Sequence, residues 1–136
     1  DADLEVTGPI RATLYVRTTA PNTDFATTLW DIHPDGSAYH LSAGILRRSY
    51  GDHAEPPDPV RIELAMWPTS VLLPKGHALR LDISSSNYPR FDVNPNTGHD
   101  IATETEPVTA DQTIFLGGGR WGPASGRVGF GAQPRL

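Results

Sequence analysis

The side chains with which this chain could do chemistry are serines, histidines and carboxylates, because the sequence contains no cysteine. A serine hydrolase usually carries its nucleophile in a Gly-x-Ser-x-Gly turn, since only small flanking residues fit the strained elbow between strand and helix. That motif is absent: Ser37 follows Gly36, but it is followed by Ala38-Tyr39, and the run Ser84-Ser85-Ser86 lacks glycines. Triads can also be built from distant positions, but no spacing points to one. We predict no catalytic residue in this chain.

One segment has the spacing of a cation site. Asp92-x-Asn94-x-Asn96 begins like a calcium-binding loop, with oxygen ligands at alternate positions. The sixth position, however, is Thr97 where the sharp turn needs glycine, and Glu104 lies one residue beyond the bidentate position. Asx turns in a loop rich in proline and asparagine explain the spacing better. A structural cation is the alternative.

Histidines and tryptophans are the other candidates for a site. The histidines show neither His-x-His nor His-x-x-x-His spacing, and we expect surface or turn positions, rather than metal ligands or general bases, for all five: His33, His40, His53, His77 and His99. The tryptophans could offer a platform for sugar rings. Trp30 and Trp67, however, lie on or beside predicted strands and are expected to pack in the core or beneath a covering partner, whereas Trp121 could be exposed. We predict no metal and no cofactor.

The charge balance argues against polyanionic partners. There are 16 acidic and 11 basic residues, a formal net charge of −5, and the two signs are mixed along the chain. Nucleic-acid binding favours a basic stripe, and the nearest candidate is the pair Arg47-Arg48, so neither nucleic acid nor an anionic membrane is expected as a partner. No run of about 18 apolar residues could span a bilayer, and no signal peptide is recognised. We expect a soluble chain whose compartment is unknown, with the cytoplasm favoured.

The elements that must position these residues are strands. Glycine and proline, 13 of each in 136 residues, exclude a helical bundle because both residues disfavour helix interiors. Apolar and polar residues alternate along several segments, which is the period of a half-buried strand; Leu79, Leu81 and Ile83, for example, should face the core. Strands are predicted at 10–17, 24–33, 37–50, 60–66, 70–73, 78–84 and 112–116.

Turn signals connect these strands. His33-Pro34-Asp35-Gly36 predicts a hairpin, because proline presets φ and Asp-Gly tolerates the left-handed conformations that follow. Gly44 predicts a bulge or bend within its strand, and the polar segment 85–107 predicts a long loop. Short strands with turns every 8 to 12 residues or so indicate an all-β jelly-roll β-sandwich.

Several ordered blocks of sequence carry a family resemblance. They are 4–9, 23–25, 31–36, 44–47, 73–81 and above all 84–92 with 94–98. Together, from about Asp3 to Leu116, they closely resemble the C-terminal domain of the CocE/NonD acyl esterases, a family that includes X-Pro dipeptidyl-peptidases. The resemblance implies a galactose-binding-domain-like jelly roll. It also implies that the catalytic Ser, Asp and His belong to a preceding α/β-hydrolase domain, so none of them is carried over to this chain.

The resemblance implies a non-catalytic accessory domain of a serine acyl hydrolase acting on esters, amides or X-Pro dipeptides. Such a domain packs on the α/β-hydrolase catalytic domain of the same polypeptide and helps wall the acyl site. We place the inter-domain or pocket-edge surface in the polar loop, because Tyr, Phe and Arg anchor interfaces: Asn87, Tyr88, Arg90, Phe91, Asp92, Asn94 and Asn96. The alternative is a self-packed loop, with Arg90 paired to Asp92 and Phe91 in the domain's own core.

The resemblance also divides the chain. Residues 1–116 form the jelly roll, with one or more earlier strands expected to be missing, and residues 117–136 form a glycine-rich tail. The family usually closes with a Val/Leu-rich strand, which glycines replace poorly, so we interpret the tail as divergent or frame-shifted. Two other functions stay open: a carbohydrate-binding module, suggested by the architecture and the three tryptophans, and an oligomerisation module that pairs through an exposed edge strand into a homo-oligomer.

Overall fold

The computed structural model describes residues 2–50, 59–116 and 124–130. These residues form seven strands and no helix: β1 (Leu4–Thr18), β2 (Asn22–Ile32), β3 (Ala38–Ser49), β4 (Val60–Leu73), β5 (Ala78–Ser84), β6 (Ala110–Leu116) and β7 (Ala124–Phe130). The strands make two antiparallel sheets, with orders β4-β1-β6-β7 and β3-β2-β5. The prediction of an all-β jelly-roll sandwich is confirmed. The described part of the chain has no helix long and apolar enough to cross a membrane.

The core lies between the two sheets. Alternate residues of β1, β2, β4 and β6 point inward and form one buried cluster: Ala12, Leu14, Val16, Phe25, Leu29, Ile62, Leu64, Met66 and Ile114. The predicted inward face of β5 is only partly correct. Ile83 packs against this cluster, but Leu79 and Leu81 are exposed. Strand β5 is an edge of the smaller sheet, where alternation alone does not ensure that another layer covers the apolar side chains.

The two longest strands, β1 and β4, extend further than predicted. β1 starts at Leu4, and its register against β4 shifts between Gly8 and Ile10. Gly8 has φ of 113°, a conformation that glycine adopts without the steric cost of a side chain, and the bulge carries the strand past the proline that follows. The segments predicted as separate strands at 60–66 and 70–73 form the single strand β4.

The hairpin between β2 and β3 is confirmed at its predicted turn, where the Gly36 amide donates to the His33 carbonyl oxygen at 2.9 Å. The prediction of a bulge at Gly44 was wrong. β3 is continuous, and its register against β2 shifts instead between Leu29 and Trp30. Gly44 is required for another reason: a Cβ atom there would lie 2.3 Å from the Ala65 carbonyl oxygen on β4. This glycine lets the two sheets approach each other closely.

The glycine-rich tail contains a strand that the sequence did not predict. Residues 124–130 form β7, which pairs antiparallel with β6 from Leu116↔Ala124 to Ala110↔Phe130. Backbone pairing to a neighbouring strand therefore outweighs the weak strand propensity of glycine at this edge. The remainder of the predicted tail, with Trp121, lies outside the described residues, as does His53.

Candidate functional site

The connection from β5 to β6, residues 85–109, contains no strand and is called here the 85–109 loop. It passes from the smaller sheet to the larger one and is held to the start of β2 by asparagine side chains. The Asn94 Nδ2 group donates to Asn22 Oδ1 at 2.6 Å and to Asp24 Oδ1 at 2.8 Å. The backbone amide of Asn96 donates to Asn94 Oδ1 at 3.0 Å. This bond forms an Asx turn, as predicted from the spacing of the two asparagines. The loop is therefore anchored through its interior polar groups.

A second set of hydrogen bonds joins the loop to both sheets. Gln112 on β6, which is fully buried, donates from Nε2 to Thr23 Oγ1 on β2 at 2.7 Å. The Thr23 hydroxyl in turn donates to Asn96 Oδ1 at 3.0 Å, and Asn96 Nδ2 donates to the Val108 carbonyl oxygen at 3.0 Å. Because buried polar groups are costly unless they are paired, this chain of bonds fixes the position of the loop.

The strongest polar contact under the loop is between Asp24 and Arg47. The Arg47 guanidinium donates two parallel hydrogen bonds to the Asp24 carboxylate, at 2.8 and 2.7 Å, and the Asp24 side chain is 1% exposed. This bidentate bond is the main cause that raises the pKa of Arg47 above its ordinary value. Arg47 also donates to the Asp92 carbonyl oxygen at 3.4 Å. Neither Asp24 nor Arg47 was predicted as a site residue. An aspartate in a strand with apolar residues on both faces could have indicated a buried carboxylate that needs a partner.

Above this anchor the loop opens a cavity of about 480 Å³. Its walls come from β2, β3 and the loop: Asp24, Ile45, Arg47, Pro89, Arg90, Phe91 and Asp92. Three of the predicted surface residues, Arg90, Phe91 and Asp92, thus line one cavity. Its lining combines apolar side chains with two guanidinium groups and two carboxylates, which is more polar than the lining of most small-molecule pockets.

Beside the cavity lies an exposed aromatic surface, which we call the aromatic face: Trp67, Tyr88, Arg90 and Phe91. Trp67 is 63% exposed and Tyr88 is 60% exposed. The Arg90 guanidinium lies over the Trp67 ring at 5.9 Å and over the Phe91 ring at 5.8 Å, within the distance of a cation–π contact. Trp67 therefore does not pack in the core, whereas Trp30 is half-buried beneath Arg80, at 5.8 Å.

The predicted site residues take two different positions. Tyr88, Arg90 and Asp92 are exposed and Phe91 is half-buried, whereas Asn94 and Asn96 are buried and hold the loop from below. The Asn87 carbonyl oxygen accepts a turn hydrogen bond from the Phe91 amide at 3.1 Å. Among the described residues Arg90 and Asp92 form no ion pair, and Arg90 contacts the aromatic rings instead.

Glu104 forms hydrogen bonds near the C-terminal end of the 85–109 loop. Its carboxylate accepts hydrogen bonds from the Glu106 amide at 3.0 Å and the Thr105 amide at 2.9 Å, and it lies 2.9 Å from His99 Nδ1. The backbone bond from Glu106, followed by the bond with His99, lowers the pKa of Glu104 from 4.5 to about 2. The Glu104 carboxylate thus stabilises the turn near the C-terminal end of this loop.

A separate polar cluster forms at the other end of β2, where Asp31, His33 and His77 converge. His33 lies in the β2–β3 turn and His77 precedes β5, so their predicted turn positions are confirmed. The sequence did not predict that both rings would contact one carboxylate: His77 Nδ1 lies 2.8 Å from Asp31 Oδ1, and His33 Nε2 lies 3.2 Å from Asp31 Oδ2. No spacing in the sequence signals this cluster, because it forms only where β2 pairs with β5.

Comparison with known proteins assigns the family. The profile of the X-Pro dipeptidyl-peptidase C-terminal non-catalytic domain matches residues 1–121. The chain is 38% identical over 122 residues to cocaine esterase from Rhodococcus sp. (strain MB1 Bresler), an alignment that covers 84% of this chain and 21% of the esterase. The resemblance to the C-terminal domain of CocE/NonD hydrolases is thus confirmed.

Solved structures share the fold. An aminopeptidase from a marine-sediment Thaumarchaeota archaeon superposes with a TM-score of 0.74 at 22% identity, over 85% of this chain and 22% of that chain. An α-amino acid ester hydrolase superposes with a TM-score of 0.73 at 20% identity, over 85% and 22%. The chain therefore spans about one fifth of the length of these relatives. It belongs to the X-Pro dipeptidyl-peptidase C-terminal non-catalytic domain family.

Proposed function

We propose that this chain is the accessory domain of a serine acyl hydrolase, and that its aromatic face docks on an α/β-hydrolase domain of the same polypeptide. The catalytic serine, histidine and aspartate would lie in that domain. The family is non-catalytic by description, and the matched relatives are about five times longer than the matched segment. The observation that carries the proposal is the exposed aromatic face beside a cavity of about 480 Å³.

The composition of the aromatic face suits a protein interface. Tryptophan, tyrosine and arginine are the residues in which binding energy at interfaces concentrates, because each buries a large area in a few well-defined conformations. Trp67 and Tyr88 leave most of their surface in contact with water, and a docked domain would remove that apolar area from solvent at about 25 cal/mol per Å². Burial of these side chains would therefore favour docking on this face.

The aromatic face is also held in place before docking. The Arg90 guanidinium already lies within cation–π distance of two rings, and the loop that carries it is anchored by the buried bonds of Asn94 and Asn96. On β4, the Trp67 carbonyl oxygen accepts a hydrogen bond from Ser42 Oγ at 2.6 Å. Because these groups are already ordered, association costs less conformational entropy than it would for mobile side chains.

We propose further that the cavity forms part of the wall of the acyl site. Its volume lies within the range of small-molecule pockets, and Ile45, Pro89 and Phe91 provide apolar surface next to the guanidinium groups of Arg47 and Arg90. An acyl group held by the hydrolase domain could pack against the apolar part. The substrate class is an ester or amide, including X-Pro peptides, whose acyl part this wall would help to select.

The experiment uses the complete gene product. Its reading frame upstream of Asp1 should encode a hydrolase with Gly-x-Ser-x-Gly. In that protein, Arg90→Ala should lower kcat/KM for p-nitrophenyl acyl esters by about tenfold, because truncating an interface hot-spot residue weakens docking. In this chain alone the substitution should change thermal stability little, because Arg90 is exposed there.

Arg80→Ala is the matched control, since Arg80 is also exposed and also lies over a tryptophan, Trp30, at 5.8 Å. It should leave kcat/KM unchanged. Equal activity of the Arg90→Ala protein and the unmodified protein would contradict the docking proposal, as would an equal loss in the Arg80→Ala control.

A further inference from the structure

Strand pairing brings two distant histidines together at one end of the smaller sheet. β2 and β5 pair with Ile32 opposite Ala78, so the next pair outward in this antiparallel register is His33 opposite His77. The two imidazole rings lie 4.2 Å apart between centroids, at 46°. Asp31, two residues before His33, points to the same side because side chains alternate along a strand. Three potential ligands therefore come from the end of β2, the turn that follows it and the turn before β5.

The donor atoms of this cluster already face one another. Each of Asp31, His33 and His77 offers one atom, and all three atoms lie within 4.8 Å of one another. The Asp31 carboxylate contacts His77 through one oxygen and His33 through the other. The side-chain exposures are 9% for Asp31, 13% for His77 and 33% for His33. The cluster is thus mostly shielded, with an opening to solvent on the His33 side.

Two imidazoles and one carboxylate are the ligands of a late first-row divalent cation. Zinc binds imidazole nitrogen and carboxylate oxygen at about 2.0–2.2 Å in a tetrahedral arrangement, so small rotations of these side chains would bring the donor atoms to metal distance. Magnesium and calcium prefer oxygen ligands and do not suit two nitrogen donors. Three protein ligands leave the fourth position of the metal open to water.

We propose that Asp31, His33 and His77 form a binding site for zinc or a similar divalent transition metal. The metal would take the place of the contacts between Asp31 and the two rings and would join the β2–β3 turn to the turn before β5. His33 is further oriented by Tyr39, whose ring centroid lies 4.4 Å from that of His33. The site is independent of the aromatic face and of the proposed docking.

The test is a titration of the metal-free protein with Zn²⁺ by calorimetry and with Co²⁺ by visible absorption. One equivalent of Zn²⁺ should bind at the site, and Co²⁺ should give the spectrum of a coordinated imidazole complex. Zn²⁺ should also raise the melting temperature, because a ligand that binds the folded state stabilises it. Calcium should not bind at this site.

His33→Gln and His77→Gln should each weaken Zn²⁺ binding more than about tenfold, since each removes one of three ligands. His33→Gln is the more informative variant because His33 is the most exposed of the three and its loss should leave the fold intact. His99→Gln is the matched control: His99 Nδ1 also lies 2.9 Å from a carboxylate, that of Glu104, but outside the cluster. The absence of one-equivalent binding, or equal affinity of His33→Gln and His99→Gln, would overturn the proposal.

Discussion

Asp24→Asn should lower the free energy of unfolding by about 3 kcal/mol, because the buried Asp24 carboxylate accepts charge-assisted hydrogen bonds that a neutral asparagine, with one acceptor oxygen, cannot all accept. The Asp24 carboxylate accepts from Arg47 and from Asn94. An asparagine side chain would point an NH₂ group at one of these donors. For a chain of this size the melting temperature should fall by about 10 °C, measured by thermal unfolding and by denaturant titration.

Asp82→Asn is the control for this substitution. Asp82 is also paired with an arginine, Arg80, at 3.0 Å, but both side chains are about half exposed, at 48% and 53%. Exposed ion pairs contribute roughly 0 to 1 kcal/mol, so the control should change stability by less than about 0.5 kcal/mol. Equal effects of the two substitutions would show that the buried pair does not anchor the 85–109 loop.

Gly44→Ala should destabilise the chain by about 3 kcal/mol or more, because one added methyl group would collide with backbone of the opposite sheet. The new Cβ would lie 2.3 Å from the Ala65 carbonyl oxygen and 3.1 Å from Met66 Cγ. A backbone atom cannot move aside without displacing β4. The two sheets would have to separate, which would weaken the core formed by residues such as Leu64 and Phe25. Equilibrium denaturation measures the loss.

Gly36→Ala is the matched glycine control, because its φ of 86° strains any other residue but no atom lies within 4 Å of the added Cβ. Left-handed strain costs about 1–2 kcal/mol. The Gly44 substitution should therefore cost more than the Gly36 one. The reverse order would contradict the close approach of the two sheets at Gly44.

Most strands and turns of this domain, though not β7, could be predicted from local pattern. Alternating residues, as in β4 around Ile62 and Leu64, identify a strand that is covered on one side, and Pro34-Asp35-Gly36 identifies the hairpin. The order of the blocks identified the family. All of these signals depend on residues that are neighbours in the sequence, so one sequence is enough to detect them.

The buried side of the 85–109 loop could not be predicted in the same way. The sequence places Asn94 and Asn96 beside Arg90 and Phe91, but whether an asparagine faces solvent or binds β2 depends on which strand lies beneath the loop. The Thr23 and Gln112 partners come from different sheets. Only the tertiary arrangement brings their donors and acceptors together.

The role of Gly44 and the histidine cluster could not be predicted from the sequence for the same reason: both depend on the tertiary arrangement. A glycine within a strand is consistent with either a bulge or a close approach of two backbones, and the choice depends on β4, which belongs to the other sheet. His33 and His77 lie 44 residues apart in sequence, so no local spacing connects them. The register of β2 against β5 does so.

Hydrogen exchange gives the most direct test that the aromatic face docks on a hydrolase domain. Amide exchange of residues 87–93 is measured by mass spectrometry in the complete gene product and in this chain alone, with the 33–36 turn as an internal reference. Docking predicts exchange about tenfold slower or more at 87–93 in the complete protein, because a covered loop opens less often, and no change at the reference turn. Equal exchange at 87–93 in the two proteins would contradict the account.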